Sequence, residues 1–351
     1  MKILAIESSC DESACAIVED GRHVLANVVA SQADLHASFG GVVPEIASRE
    51  HIHAMMPVVD RCLKLAKLEF SDIDCIAVTA GPGLIGALLV GVSVAKALAF
   101  ALNKNLYAIH HIAAHIAGNF LTHPDFEAPF LCLVVSGGHS HLIHCDESWH
   151  FKIIGRTRDD AAGEALDKIA RALKLPYPGG PKIEAEAQSG KLGQLRFPKV
   201  KIEHPYDYSF SGVKSAALNY LQKIEAEAKR RNCSAEAIIS RSDFCADYQE
   251  AIFSQLTEKA MAACRDLSVE RFAIAGGVAA NQTLRNRLAN ACELEGIRFF
   301  APERKYCTDN AAMVGSICYY EILAGAKPAT WDLNAKSTWD AEQYLKNAPV
   351  I

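Results

Sequence analysis

The sequence predicts an α/β fold of two similar lobes facing a central cleft, and three observations carry that expectation. Apolar strands alternate with helices of 3.6-residue period along most of the chain. From Pro129 onward the chain repeats its own beginning: an apolar strand, a turn carrying hydroxyls or glycine, and a second strand. Three glycine turns, Gly81-Pro82-Gly83, Ser136-Gly137-Gly138-His139 and Gly276-Gly277, each follow a strand and are expected to converge on one cleft.

The elements follow in order. Lys2 to Glu7, Ala14 to Glu19 and His23 to Ser31 read as an antiparallel meander. Helices around Ala47 to Leu68 and Leu84 to Leu102 bracket a buried strand at Cys75 to Thr79. The uncharged stretch from Cys75 to Ala95 nearly has the length of a membrane span, but Gly81-Pro82-Gly83 splits it and Lys96 follows, so strand, loop and helix are expected. Leu106 to Ile109 is a short strand that gives way to a helix at His110-His111. Phe130 to Ser136 and His139 to Cys145 form the second hairpin. A less regular insert follows, in which Asp159 to Lys168 starts a helix with acids in its first turn. Tyr177-Pro178-Gly179-Gly180-Pro181 makes a rigid turn before a helix carrying Glu184. Leu218 to Lys229 and Ser242 to Leu267 are helical by period, Arg271 to Ala275 is a buried strand, and Gln282 to Leu294 is a helix. Asp309 opens one more apolar helix. The expected division is an N-terminal lobe at 1–128, a C-terminal lobe at 129–325 with a helical insert at about 157–270, and an irregular tail at 326–351. By analogy of pattern these are ribonuclease-H-like lobes of the actin, sugar-kinase and heat-shock ATPase superfamily, whose turns at Ser8 to Ser13 and Ser136 to Ser140 would point into the cleft and face phosphates.

Composition narrows the classes. The 351 residues are 50% hydrophobic and 22% charged, enough for two lobes with a sizeable core. A net charge of −5 gives no overall basic field, so an RNA partner needs a local patch or a helper subunit. The basic clusters are small: Arg156 with Arg158, Lys199 with Lys201, and Lys229-Arg230-Arg231. The first strand meets Glu7 after four apolar positions, too short an apolar run for a secretion signal, so a cytoplasmic protein with no membrane partner is expected. The 12 cysteines contain no Cys-x-x-Cys pair and several sit in apolar runs, as buried reduced thiols do.

His111 and His115 stand four apart at the start of a helix, which stacks two imidazoles on one face where they can grip a borderline metal ion. The pair alone also fits ordinary polar residues near a surface. Ile112 occupies the place of the general base in a His-Glu-x-x-His peptidase, so the helix can hold a metal but supplies no base for peptide hydrolysis. Asp309 reads either as a third ligand or as a helix-start carboxylate satisfying free N–H groups. Glycine turns after strands let backbone N–H groups approach an anion, although singly each fits a plain turn.

Taken together, several segments resemble one family. They are Glu7-Ser8-Ser9-Cys10-Asp11-Glu12-Ser13, Pro44 to His51, Thr79 to Leu84, His111 to His115, Val135 to His139, Asp159 to Lys168, Tyr177 to Pro181, Phe210 to Lys214, Gly276 to Asn281 and Cys307 to Ala311. In this order they are similar to the TsaD family of tRNA N6-adenosine threonylcarbamoyltransferases, once described as O-sialoglycoprotein endopeptidases. The resemblance implies transfer of threonylcarbamoyl from threonylcarbamoyl-adenylate to N6 of adenosine 37 in tRNAs reading codons that begin with A, forming t6A and releasing AMP. It implies one divalent ion per subunit, Fe2+ or alternatively Zn2+, on His111, His115 and Asp309. It implies an adenylate site at Val134, Val135, Ser136, Gly137, Gly138, Asp167, Gly180, Glu184 and Asn281, with Glu184 standing where the family usually has Asp. Asp11 and Glu12 match the family's acidic pair and are the candidate proton acceptors; as residues alone they also fit turn carboxylates exposed to water. The implied partners are tRNA, a TsaB-like paralogue and a TsaE-like ATPase. A metallopeptidase, a kinase of the same fold and a non-catalytic ATP-binding scaffold are the competing classes. Ile112 speaks against the first and the lack of Asp-x-Gly in the turns against the second.

Overall fold

The computed structural model describes residues 1–200 and 202–347, which are the residues meant below. Lys201 of the second basic cluster and the last four positions of the tail lie outside them.

The first sheet is built from β1 (Lys2–Glu7), β2 (Glu12–Glu19), β3 (His23–Ser31), β4 (Cys75–Gly81) and β5 (Asn105–His110), in the order β3-β2-β1-β4-β5. β1 pairs antiparallel with β2 and parallel with β4, so that Ile3 faces Val18 on one side and Cys75 on the other. The second sheet is built from β6 (Phe130–Val135), β7 (Ser140–Cys145), β8 (Phe151–Arg156), β9 (Arg271–Ala275) and β10 (Arg298–Phe300), in the order β10-β9-β6-β7-β8. β6 again pairs antiparallel with the next strand and parallel with a later one. Each sheet is therefore a three-stranded meander extended by two parallel strands, which is the duplication the two hairpins announce. β8 and β10 complete that symmetry and are not among the expected strands.

The helices are α1 (Ala33–Ala37), α2 (Pro44–Ala66), α3 (Ile85–Leu102), α4 (His111–Thr122), α5 (Ala162–Ala172), α6 (Gly179–Ala187), α7 (Ser211–Arg231), α8 (Arg241–Leu267), α9 (Gln282–Leu294), α10 (Ala311–Leu323) and α11 (Ala341–Asn347). β1, β4 and β6 are buried almost throughout because helices cover both faces of their sheets, which explains their unbroken apolar runs. Leu4, Ile6 and Ile17 pack on α2 and α3 through Met55, Val59, Leu88 and Val92. Ile3, Ala5 and Val18 share a second cluster with Ile116, Phe120, Met313 and Ile317 and with Cys132, Val134 and Ile143 of the other sheet. Leu131, Leu133 and Val135 face Leu166, Phe253 and Leu256 on the far side. α4 and α10, one from each half of the chain, are thus a helix pair sandwiched between the two sheets. α3 has the length and apolar composition of a membrane-crossing helix, and here it packs on β4 and α2.

Two expectations change. Asp159 and Asp160 precede α5 rather than forming its first turn. Asp159 accepts from the N–H groups of Phe210 (2.8 Å) and Ser211 (3.1 Å) and from both their neighbouring hydroxyls, Ser209 and Ser211, so it caps α7 from outside. The tail is not wholly irregular, since it carries α11. It also returns across the first lobe, where Ala329 N–H bonds the Leu106 carbonyl on β5 at 2.7 Å and Lys336 N–H bonds that of Ala80 on β4 at 2.8 Å. α10 likewise lies against β1 and β2, so the chain comes back to the first lobe after building the second. Ten of the cysteines are buried, none forms a disulfide, and burial pushes the Cys132 and Cys145 thiols up, away from reactivity.

Candidate active site

The cleft opens where strands of both sheets end and the central helices begin. α4 starts at His111, directly after β5, and α10 starts just after Asp309. Their N-termini converge, so free N–H groups and two helix dipoles favour negative charge there. Asn310, rather than Asp309, caps α10: its Oδ1 accepts from Met313 N–H at 3.1 Å and its amide donates to the Thr308 carbonyl at 2.8 Å. The Asp309 carboxylate is left to face the two imidazoles. Its Oδ1 lies 3.2 Å from His115 Nε2 and 3.6 Å from His111 Nε2, and the two Nε2 atoms are 3.2 Å apart. Two ligands each about 2.1 Å from one ion at a tetrahedral angle lie about 3.4 Å apart, so the three atoms have the spacing of a shared metal. These three residues could hold one.

The surroundings orient the first histidine. Glu7, buried at the end of β1, takes one hydrogen bond from Ser9 N–H (2.6 Å) on one oxygen, and from the Thr79 hydroxyl (2.6 Å) and His111 Nδ1 (3.3 Å) on the other. A proton on Nδ1 leaves the lone pair of Nε2 facing the centre, the usual arrangement behind a metal-bound imidazole. Burial alone would lower the His111 pKa, but Asp309 and Glu7 outweigh it and hold it up at about 9. Burial raises Asp309, yet His111 and His115 pull it down to about 2. Two carboxylates thus draw positive charge to this point, and a dication competes with the proton for the same lone pair.

The β1–β2 turn carries the acidic pair. His51 of α2 spans it, with Nε2 donating to the Cys10 carbonyl at 2.9 Å and Nδ1 accepting from the Ser13 hydroxyl at 2.6 Å. Burial lowers the His51 pKa, which keeps the ring in the neutral form that this bonding requires. Asp11 lies 3.5 Å from the Tyr177 hydroxyl across the cleft. Glu12 is pushed up to about 9 by burial first and then by Asp309 and Asp11, so it carries a proton at neutral pH.

A single cavity of about 810 Å3 joins these parts. It is lined by Asp11, Glu12, His111, Ser136, Gly137, Gly138, Asp167, Gly180, Glu184, Asn281 and Asp309, with Lys168, Arg171, Tyr177 and Arg304 among the rest. His115 is buried beneath His111. At Gly137, Gly138 and Gly180 an added Cβ would meet nothing within 4 Å, so the backbone there faces open space. The corner is held by Ser136, whose N–H bonds the His139 carbonyl at 2.8 Å and whose hydroxyl accepts from His139 N–H at 3.1 Å. Gly276 has φ +89°, and a Cβ there would fall 2.4 Å from the Val135 carbonyl, so β9 can leave the sheet only at glycine.

The chain matches the family described as TsaD, tRNA N6-adenosine threonylcarbamoyltransferase, over residues 23–316. The chain belongs to the TsaD family. A Clostridium perfringens tRNA N6-adenosine threonylcarbamoyltransferase is 51% identical over 335 residues, 95% of this chain and 96% of that one. Among solved structures, HypF from T. kodakarensis aligns with TM-score 0.60 at 14% identity over 92% of this chain and 48% of its own. The activator of 2-hydroxyisocaproyl-CoA dehydratase from Clostridium difficile, with bound ADPNP, aligns with TM-score 0.51 at 14% identity over 94% and 100%. At that identity these structures speak to the fold alone, the α/β fold of two similar sheets described above.

Five positions of the TsaD pattern sit differently from the rest. Val134 and Val135 are fully buried in β6, on opposite faces of the sheet, and their side chains do not reach the cavity. Asn281 lines it, but its Oδ1 caps α9 at Leu284 N–H (3.0 Å) and its amide donates to Gln249 (3.1 Å). The Glu184 carboxylate is turned onto Gln282 N–H at 2.6 Å. Asp167 accepts from the N–H groups of Gly179 (2.8 Å) and Gly180 (3.1 Å) through one oxygen; burial raises its pKa although those N–H groups act against it. Sequence reading missed the roles of Glu7, whose partner His111 lies 104 positions later, of Thr79, which donates to Glu7, and of His51. Their only sequence signal is that each lies in a family motif.

Proposed function

We propose that this chain transfers the threonylcarbamoyl group from threonylcarbamoyl-adenylate to N6 of adenosine 37 in tRNAs reading codons that begin with A, forming t6A and releasing AMP. The observation that carries the reading is the meeting of His111 Nε2, His115 Nε2 and Asp309 Oδ1 in the same cavity as the open glycine corner at Gly137-Gly138. A divalent ion on these ligands, Fe2+ or alternatively Zn2+ for a donor set of two imidazoles and a carboxylate, supplies Lewis-acid charge and a template beside the donor phosphate. Gly137 and Gly138 N–H groups add fixed dipoles for the phosphate. Asp167 and the Gly180 backbone hold the nucleoside end, while Asn281 and Glu184 shape the wall through their contacts with α9. Holding donor and acceptor in one cleft removes a bimolecular entropy cost.

The N6 amine attacks the carbamoyl carbon, a new N–C bond forms, and the bond to the phosphate oxygen breaks with its electron pair leaving on AMP. The amine proton passes to Asp11. Glu12, whose pKa burial raises, stands beside Asp11 as the second carboxyl of the pair. The partner set is the one that membership of the TsaD family implies, and the surface offers a place for one of them. Ile52 and Met56 of α2 and Ile85 and Leu89 of α3 are exposed apolar residues on two packed helices, a face suited to a TsaB-like paralogue. The TsaE-like ATPase completes the assembly, and work on tRNA places it in the cytoplasm.

A metallopeptidase reading has no support in the geometry, because Ile112 is fully buried in the core between the sheets. The test is mass analysis of tRNA nucleosides after incubation of chain and partners with the donor, beside a casein cleavage assay of the parent and Ile112→Glu. Modified adenosine with the parent, lost transfer in the variant and no cleavage by either is expected, since the variant buries a carboxylate. Chelator-sensitive proteolysis, or unmodified tRNA with the parent, overturns the reading.

A further inference from the structure

His110, next to the first histidine of the pair, is completely buried and takes no part in the convergence of His111, His115 and Asp309. Its ring is nevertheless fully engaged. Nδ1 accepts from the N–H of Ile112 at 3.1 Å, which makes His110 the N-cap of α4. With Nδ1 an acceptor, Nε2 bears the proton, and it donates to the main-chain carbonyl of Trp339 at 3.1 Å. The ring lies against Trp339 and Tyr344, with centroids 5.2 and 4.9 Å away.

Trp339 belongs to the returning tail, and the tail is fastened along its length. The Leu333 carbonyl takes a hydrogen bond from Lys96 of α3 at 3.0 Å, and Gly83 N–H reaches the Ser337 carbonyl at 3.2 Å. Gly81 passes so close to the tail that a Cβ there would fall 2.2 Å from the Lys336 carbonyl. Past Trp339, the Tyr344 hydroxyl donates to the buried Glu321 of α10 at 2.5 Å. The tail therefore touches α4 at its start, where His111 stands, and α10 near its far end, at Glu321.

A first helical turn has N–H groups with no partner in the helix and frays unless something caps them. α4 begins at His111 itself, so the backbone that aims His111 and, one turn on, His115 depends on its cap. Most caps are short side chains free to rotate, whereas this one is an imidazole whose ring orientation is fixed from the other end by a residue 229 positions later. We propose that His110 and Trp339 are positioning residues for the metal centre: the Trp339 carbonyl orients His110, and His110 holds the turn that carries His111 and His115. The tail is then a working part of the site. This rests on His111, His115 and Asp309 as metal ligands, so that reading needs its own control.

The test measures metal affinity of the full-length chain by competition with a chromogenic chelator, with circular dichroism melting to report folding. The control is His115→Ala; if it keeps one tightly bound ion, the ligand assignment itself fails. With that control losing the ion, His110→Ala is expected to bind metal about 10–100-fold more weakly, as removal of a group that orients a ligand does. His110→Asn, which keeps an acceptor for Ile112 N–H, should recover most of the affinity. Trp339→Ala, which removes the ring that packs the tail segment on His110 and so frees the carbonyl, should weaken binding in the same direction. The double variant His110→Ala/Trp339→Ala should be no weaker than His110→Ala, since both act through one contact. Parent-like affinity in His110→Ala, or no recovery by Asn, overturns the cap. Parent-like affinity in Trp339→Ala, or additive losses in the double variant, overturns the part assigned to the tail. Should His110→Ala not fold, the Asn and Trp339 variants decide in the same terms.

Discussion

Glu7 shows how much of this site depends on one carboxylate that does not itself meet the three ligand atoms. It accepts from Ser9 N–H, the Thr79 hydroxyl and His111 Nδ1, using both oxygens, and no water is needed to satisfy it. The charge of His111 outweighs the burial that would raise Glu7, so the group stays ionised. Glu7→Gln has the same shape but only one accepting oxygen, and its amide hydrogens must face a donor on one side. We expect this variant to fold and to bind the metal about 10–100-fold more weakly, measured by chelator competition; unchanged affinity would show that Glu7 does not orient His111. At this scale the sequence is partly legible. His111 and His115 announce themselves because their spacing follows from helix geometry, whatever the rest of the fold does. The choice between ligand and cap at Asp309 could not be made from residues alone. In the structure the capping bond belongs to Asn310, which leaves the Asp309 carboxylate facing the two imidazoles. Glu7 and Thr79 come together only when β1 and β4 pair, which no local pattern encodes.

Among the elements, Asp159 is the instructive case. An acid just before a helical pattern reads naturally as favouring that helix, and for α5 it does not. Its four hydrogen bonds instead collect the first N–H groups of α7 and two serine hydroxyls, and so tie the segment after β8 to a helix some 50 residues later. Asp159→Ala leaves those donors unpaired, a loss of about 1–3 kcal/mol. A urea midpoint shift of that size without change of slope is expected, and stability within 0.5 kcal/mol of the parent, roughly the error of such a comparison, would contradict the role. The strands of the two hairpins were legible because helices cover both faces of each sheet and leave unbroken apolar runs. β10 was not, being three residues long, and β8 alternates exposed and buried positions through Lys152 and Arg156 without a strong apolar signal.

For the whole molecule, duplication was the readable feature, since each lobe opens on the same hairpin, and the two central helices follow from it. The path of the tail was not readable: its contacts are main-chain carbonyls and single aromatic rings, which leave no periodicity. The charge balance carries a prediction at this scale. With a net charge of −5, the chain has no overall field to hold tRNA. Several of its basic groups are also committed internally, as Arg156 is to Glu342 and Lys168 to Asp160 and Glu164. The isolated chain should bind tRNA weakly, with affinity falling steeply as salt rises, and a complex with the proposed paralogue and ATPase should bind more tightly. Filter binding across a salt series checks this, and equal affinity with and without the partners would contradict it.

The central claim is that one ion on His111, His115 and Asp309 makes this cleft a threonylcarbamoyl transferase. It is tested most directly by stripping the chain of metal, adding the ion back in steps, and measuring t6A formed on tRNA at each loading in a single turnover. The account predicts that product rises with bound ion up to one per chain and that Asp309→Ala yields none at any loading. Full transfer by the metal-free chain, or by Asp309→Ala, would contradict it.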